Sequence, residues 1–562
     1  MKKVTRILAL LLVCMMIVSI AACGSSNSNS NSNTTGAGTN TSGGESNASG
    51  GNSNTAGGNS NTSSSPTTSG GTDSSAPKND TLKVALDSDS GTLDAAIMTG
   101  SVFSAVACVM EPLWDVTLNN DIIFVLAESV DQVSDTQYTV NLRKNVTFSN
   151  GNPLTASDVV FSIKQHYAAG ATGMPRVQTI DAEKTNAAGE TTLDLHLLAP
   201  SIAHWGILCQ MLVYDEESYD ATKAASYPIG TGPYILTEYV PNSSVTLERR
   251  EDYWGKKPDA KYINFKILSE PAQRVNALET GLVDITNIAT SDVSYVEGLS
   301  GFEAIGRYAG MYCSIGFNHG EKSAFYRNVD ARSAITHAID PQVILNAVFL
   351  GHGVVMGAAV PDYCFDYEAR FTKMDDTYAI GYNTDLAKQL AESSGLTSRP
   401  LKLMTNGTAD AVKTAEIVQS MMRDIGVTVE INNYDPATVW QMQYDPNAEY
   451  DFSIGSGIAP NRRVGDLLLN GVRYSPFLTV PGAFENNEEY LVRAPLCMST
   501  LDEAELSDLL FDMLGQYEKS VLSYALVDYL SFSAYSSNVD INSVVNTFGT
   551  AGVRLVDVKL AG

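Results

Sequence analysis

The chain has 562 residues, of which 44% are hydrophobic and 18% charged, the balance of a body that folds around apolar cores. Its formal charge of −27 repels phosphate backbones and anionic headgroups, which argues against nucleic acid as a partner and against direct adhesion to acidic lipid.

The chain starts with Met1-Lys2-Lys3 and Arg6, followed by an apolar stretch from Ile7 to Ile20 and then Ala21-Ala22-Cys23. The stretch is too short to span a bilayer, and small residues precede the cysteine. This pattern predicts a lipoprotein signal peptide over 1–22, with the Cys23 thiol as the lipidation site. From Gly24 to Asp80 almost every residue is Ser, Asn, Gly or Thr, and none is aromatic, Leu, Ile, Val or Met. Such a segment cannot bury enough apolar surface to offset its ordering entropy. It is expected to be a disordered tether of roughly 40 Å root-mean-square span. The expected location is the extracytoplasmic face of the cell membrane, with membrane contact through the N-terminal lipid only.

About 480 residues then remain, enough for two or three lobes. Thr81–Leu86 alternates like a first strand, and Gln137–Arg143 like another. Phe148–Asn152 has Asn-Gly at its centre, a turn. Thr155-Ala156-Ser157-Asp158 reads as the capped start of a helix carrying Val159, Val160 and Ile163. Gly230-Thr231-Gly232-Pro233-Tyr234 reads as a turn into a strand over Ile235–Tyr239, with Ser244–Arg249 as its hairpin partner. Pro271 opens a helix that ends near Gly281. Ala331–Leu350, Asp385–Ser393 and Ala415–Ile425 carry apolar residues at helical spacing. Helices mixed with short strands predict an α/β or α+β body.

Outside the signal segment and Cys23, the cysteines are Cys108, Cys209, Cys313, Cys364 and Cys497, without a close pair. They read as small buried hydrophobes, with room for one chance disulfide, and not as a zinc site. The histidines (His166, His196, His204, His319, His337 and His352) form no H-x-x-x-H pair. No metal and no cofactor is expected. G-x-S-x-G, H-E-x-x-H and P-loop patterns are absent from the sequence, so no enzyme is expected.

Several segments taken together resemble the family 5 extracellular solute-binding proteins, the oligopeptide-, dipeptide- and nickel-binding subunits of ABC importers. They are Glu111-Pro112-Leu113-Trp114-Asp115, Leu126-Ala127-Glu128-Ser129, Tyr138–Phe148 and Asn150-Gly151-Asn152-Pro153-Leu154-Thr155-Ala156-Ser157-Asp158. Pro228–Tyr234, Glu251–Gly255, Asn318 and Asn328–Ile335 continue the likeness, which weakens after about residue 450. Most of these residues read as scaffold, so the motifs identify the fold and the job, not the substrate.

The resemblance implies a two-lobed α/β fold of the periplasmic-binding-protein type, with an extra subdomain in lobe one and a hinge of two crossovers. Lobe one would comprise residues 81–320, with the subdomain at about 113–226, and lobe two residues 321–529. Residues 530–562 would return to lobe one. The crossovers would lie near Gly316-Phe317-Asn318 and Leu530-Ser531-Phe532. A monomer is expected, with ABC permease subunits as partners and a peptide or small molecule as ligand. A surface sensor or adhesion module on the same fold is the alternative.

By resemblance, the cleft is lined by Gly100, Ser101 and Phe103, and by Trp440, for which helix packing is an equal alternative. Peptide-binding relatives usually carry a W-x-A-D-Y pattern after the strand that here begins at Tyr450. Its tryptophan and acidic positions fall on Gly457 and Pro460. A buried ammonium without a counter-charge is costly, so the expected ligand is a blocked or modified peptide, or an acidic solute. Gly457, Ile458, Arg462 and Arg463 complete the candidate set. The two arginines offer a carboxylate or phosphate a bidentate partner, or form a solvated pair on a loop. Asp466 is the nearest alternative acid.

Overall fold

The computed structural model describes residues 80–169, 180–202, 206, 208–445, 447–458, 462–473, 478, 482–547 and 552–561. The signal peptide, Cys23, the tether up to residue 79 and Pro460 lie outside the described residues. The described residues fall within one compact unit.

Eleven strands form the main sheet: β1 (Thr81–Leu86), β2 (Tyr234–Val240), β3 (Ser244–Arg249), β4 (Tyr262–Ile267), β5 (Ile285–Ile288), β6 (Phe302–Phe317), β7 (Gly353–Val355), β8 (Leu401–Thr405), β9 (Val429–Asn433), β10 (Phe452–Ile458) and β11 (Ser523–Ser536). Their order is β9-β8-β10-β6-β11-β5-β1-β4-β3-β2, with β7 paired to β11. β1 runs parallel to β4 and β5, and β8 runs parallel to β9 and β10. β2 and β3 form the antiparallel hairpin expected from their alternation.

The period-2 reading of β1 holds in its packing. Leu82, Val84 and Leu86 are buried in a core with Tyr234, Leu247 and Phe265. A second core gathers Ile335, Leu403, Val418 and Phe452. A third lies under a four-stranded sheet made from residues 127–134, 137–142, 192–196 and 186–187, and holds Val140, Phe148, Val159 and Ile163. The helix against that sheet, Ala156–Ala168, starts as its sequence predicts. The Asp158 carboxylate accepts hydrogen bonds from the Thr155 amide and hydroxyl, both at 2.8 Å.

Two expectations gain detail. The apolar spacing from Ala331 to Leu350 is not one helix but two, Val329–Ala338 and Pro341–Ala347. Pro341 has no N–H to donate and its ring would strike the preceding turn, so the first helix stops and Asp340 caps the second. Gly230 and Gly232 are needed for close approach as well as for the turn. A Cβ on Gly230 would sit 2.2 Å from the Val109 carbonyl oxygen and 2.7 Å from the Met110 Cα. Both obstacles include backbone, which cannot rotate aside. Gly230→Ala should therefore cost about 2–3 kcal/mol in a urea titration; a loss under 0.5 kcal/mol would mean the backbone yields freely.

All five described cysteines are buried and free, so the chance disulfide does not form. Burial pushes the Cys108 and Cys313 thiols up to about 12, which keeps them inert as small hydrophobes. No helix among the described residues is long and apolar enough to cross a membrane.

Candidate ligand cleft

β6 and β11 pair along two separate stretches. Phe302–Tyr308 pairs with Leu530–Ser536 beside β5, and Tyr312–Gly316 pairs with Ser523–Asp528 beside β10. Between them the register shifts, leaving residues 309–311 opposite Tyr529 alone. Gly310 has φ +80 there, a backbone state that favours glycine. Two long strands thus run from one half of the sheet to the other, with register shifts between Tyr308 and Tyr312 and between Cys313 and Ser314.

Two groups of side chains lie near these register shifts. The first surrounds a recess at the carboxyl ends of β1 and β5, with room for about 60 Å³, lined by Leu86, Ser101, Ser104, Asn287, Arg307 and Ser533 among others. The carboxyl ends of parallel strands are where open α/β sheets usually bind ligands. Arg307 donates to the Ser533 hydroxyl at 2.8 Å, and that hydroxyl donates to Asn287 at 3.0 Å. Burial pulls the Arg307 guanidinium below its usual range.

The second group comes from β6, β11, the loop after β7 and the segment before the helix Val464–Arg473. It holds Tyr308, Tyr363, Arg462 and Asp528. The Tyr308 and Tyr363 rings stack with centroids 6.3 Å apart. Arg462 lies 5.0 Å over the Tyr363 ring and 5.1 Å over Phe365. Its Nη1 donates to the Leu118 carbonyl at 2.8 Å and its Nη2 to the Tyr363 carbonyl at 3.2 Å. Leu118 belongs to the hairpin 114–124, so this guanidinium ties residue 462 to that hairpin. The Ile202 amide makes a second tie, donating to the Met498 carbonyl at 3.0 Å.

The sequence candidates divide accordingly. Ser101 lines the recess, but its hydroxyl already accepts from the Asp87 and Ser88 amides and donates to the Ser88 carbonyl. It fastens the loop after β1 instead of standing free. Gly100, at φ +78, lets that loop close, since a Cβ would stand 2.7 Å from the Ser88 Oγ. Phe103 is corrected: its side chain is buried in the core under β1, because the short helix Phe103–Val106 turns it inward. Trp440 falls in the helix Pro436–Tyr444 and Ile458 at the end of β10, but their side chains lie outside the described residues.

Gly457 pairs directly with Tyr312, and a Cβ on it would meet the Tyr312 ring at 2.1 Å. Tyr312 therefore covers Gly457. Arg462 is buried, its Nη1 and Nη2 donate to two carbonyls and its Nε has no partner, so it acts as a bridge. Arg463 is half-buried, 5.6 Å over Phe365. Asp466 is buried in the first turn of the following helix.

Sequence reasoning missed Asp528, Tyr308 and Tyr363. Asp528 lies in a strand that otherwise reads as apolar, Tyr524-Ala525-Leu526-Val527-Asp528-Tyr529-Leu530. An acid inside such a run was the available signal. Burial and the neighbouring Asp362 push its carboxyl up to about 8, against the pull of Arg462.

A sheet whose two halves are joined by two long strands is that of a two-lobed fold of the periplasmic-binding-protein type. The chain belongs to the bacterial extracellular solute-binding proteins, family 5, whose middle-region model matches residues 121–468. It is 25% identical over 381 residues to a Brucella ovis protein with a provisional name as an ABC transporter peptide-binding protein, covering 64% of this chain and 69% of that protein. It is also 25% identical over 357 residues to the oligopeptide-binding protein AppA of Bacillus subtilis, covering 58% and 64%. The crystal structure of the ABC transporter substrate binding protein CtaP from Listeria monocytogenes matches with a TM-score of 0.74 at 20% identity, over 86% of this chain and 100% of that one. DppA from Helicobacter pylori, solved with the peptide STSA, matches with a TM-score of 0.69 at 20% identity, over 86% and 98%.

Proposed function

We propose that this protein is the substrate-binding protein of an ABC importer for peptides, held on the extracytoplasmic face by a lipid on Cys23. It captures the peptide in the cleft and presents it to permease subunits. The observation that carries this reading is the doubly crossed sheet with its shared break at Gly310 and Tyr529, in a chain of family 5. The peptide cargo is supported by the names of the relatives in Brucella ovis and Bacillus subtilis and by the peptide in the Helicobacter pylori complex.

Lobe one comprises residues from 81 up to this break together with the return segment, and lobe two the residues between. This reading puts the first crossover at Gly310, a few residues before the expected Gly316–Asn318, since Gly316 and Phe317 pair continuously with β10. The second stays beside Leu530. Closure turns on these two strands while each lobe keeps its own core.

A random tripeptide library should contract the purified soluble body in small-angle scattering. It should also raise the melting temperature, since a ligand at a hundred times its Kd adds about 2.7 kcal/mol. A protein that stays equally extended and equally stable would overturn the capture reading. Cys23→Ala should leave an unprocessed precursor or release the protein from cells. Unchanged maturation and membrane retention of that variant would remove the lipid anchor from the reading.

A further inference from the structure

A pocket with room for about 260 Å³ opens where the core under β1 meets the core under the four-stranded sheet. Leu93, Met110 and Ala224 of the first core line it, with Ile229, which packs on the other. It shares no lining residue with the recess at β1 and β5 or with the group around Arg462. Tyr214 and Tyr219 also line it and meet edge to face, with centroids 5.3 Å apart and ring planes at 83°, so the two rings form a corner. The Tyr214 hydroxyl donates to the Asp94 carboxylate and accepts from the Ala96 amide at 2.7 Å, which fixes that ring. Tyr227 adds a third ring and is exposed.

Asp215 lines the same pocket and is only 4% exposed. Its Oδ2 accepts from the Asn150 side-chain amide at 2.6 Å, the Asn152 side-chain amide at 2.9 Å and the Ser218 hydroxyl at 2.5 Å. Its Oδ1 receives no hydrogen bond and no ion pair among the described residues. One oxygen is saturated and the other is open. The chain on either side is pinned to the helix Ala156–Ala168: the Tyr214 amide donates to the Ser162 hydroxyl at 2.8 Å and the Glu216 amide to the Asp158 carboxylate at 2.9 Å. The Asn-Gly turn read from the sequence thus has a second use, since both of its asparagines hold this acid. A largely buried carboxylate oxygen without a donor is costly, and folds normally pair such groups.

An open acceptor beside a corner of aromatic rings and an apolar surface matches an organic ammonium. Its N–H groups donate to the oxygen, the ring faces attract its charge, and Leu93 and Met110 take its apolar body. A carboxylate or phosphate would instead meet Asp215. The other charged lining groups, Asp220 and Lys223, are exposed and opposite in sign, so the buried acid sets the charge the pocket accepts.

We propose that this pocket is a second binding site, apart from the cleft, for a small primary ammonium carried on an apolar or aromatic body, with its N–H groups on Asp215 Oδ1. The site uses no residue of the two strands that join the halves of the sheet, so it does not depend on the peptide-capture reading.

The probes are benzylamine, a cation at neutral pH, and benzyl alcohol, a neutral molecule of the same shape. In equilibrium dialysis against the purified full chain, benzylamine should bind more tightly than benzyl alcohol by about tenfold, the size of a hydrogen bond to a charged group. Asp215→Asn should bring the two probes to parity. Tyr227→Ala removes an exposed ring and leaves both cores intact, and it should weaken benzylamine by about threefold, the size of an exposed cation–π contact. Equal binding of the two probes to the wild type, or binding of neither, would overturn the proposal. Unchanged benzylamine binding in Asp215→Asn or in Tyr227→Ala would place the amine elsewhere and overturn it as well. Peptide capture would stand after any of these results.

Discussion

Gly457→Trp is expected to destabilise the protein by about 4 kcal/mol, beyond the usual cost of overpacking. A Cβ at residue 457 would fall 2.1 Å from the Tyr312 ring, and the indole would need the space that ring occupies. Tyr312 cannot readily move. It is 4% exposed and packed among Met356, Phe371 and Tyr490, and its hydroxyl donates to the Ala359 carbonyl at 3.4 Å. An aromatic ring laid over a cross-strand glycine is a recognised way to support a weak strand position. Combining Gly457→Trp with Tyr312→Ala should therefore recover most of the loss, because the two side chains compete for one volume. Urea denaturation of the two single variants and the double variant measures this coupling. Strictly additive losses would show that tyrosine and tryptophan do not exchange for one another at this site.

That pair also shows what could be read in advance. Gly457 at the expected tryptophan position was visible in the chain, but the residue replacing the missing volume is 145 positions earlier, on another strand. Local signals performed well for the same physical reason that distant ones failed. The capped start at Thr155, the alternation of Thr81–Leu86 and the hairpin of β2 and β3 each depend on residues within a few positions of one another. Phe103 and Arg462 depend on which surface the fold turns them toward. Phe103 goes into the core, and Arg462 spends its donors on carbonyls 344 and 99 residues away. Asp528 belongs to the same class. Only the strand pairing reveals that an acid in an apolar run ends opposite Tyr312 and Val354, buried and without a hydrogen-bond partner.

The charge of Asp528 should also tell against the empty protein. Asp528→Asn is expected to be more stable than the wild type at pH 8 by about 2–3 kcal/mol, and indistinguishable from it at pH 4. The carboxyl ionises near 3.8 when unfolded and is pushed up to about 8 by burial when folded. Between those values the native state holds a proton that the unfolded chain has lost. Stability therefore falls as pH rises through this window, by at most about 1.4 kcal/mol per unit. Relaxation around a buried charge makes the realised loss smaller than that ceiling. Asparagine keeps the shape and carries no charge at any pH, so the difference between variant and wild type isolates this single group. Other buried acids, such as Glu518 with its neighbour Asp375, push stability in the same direction but are common to both proteins. Urea titrations at pH 4, 6 and 8 decide the point. A difference that does not change with pH, or a variant less stable at pH 8, would show that Asp528 is matched in solution.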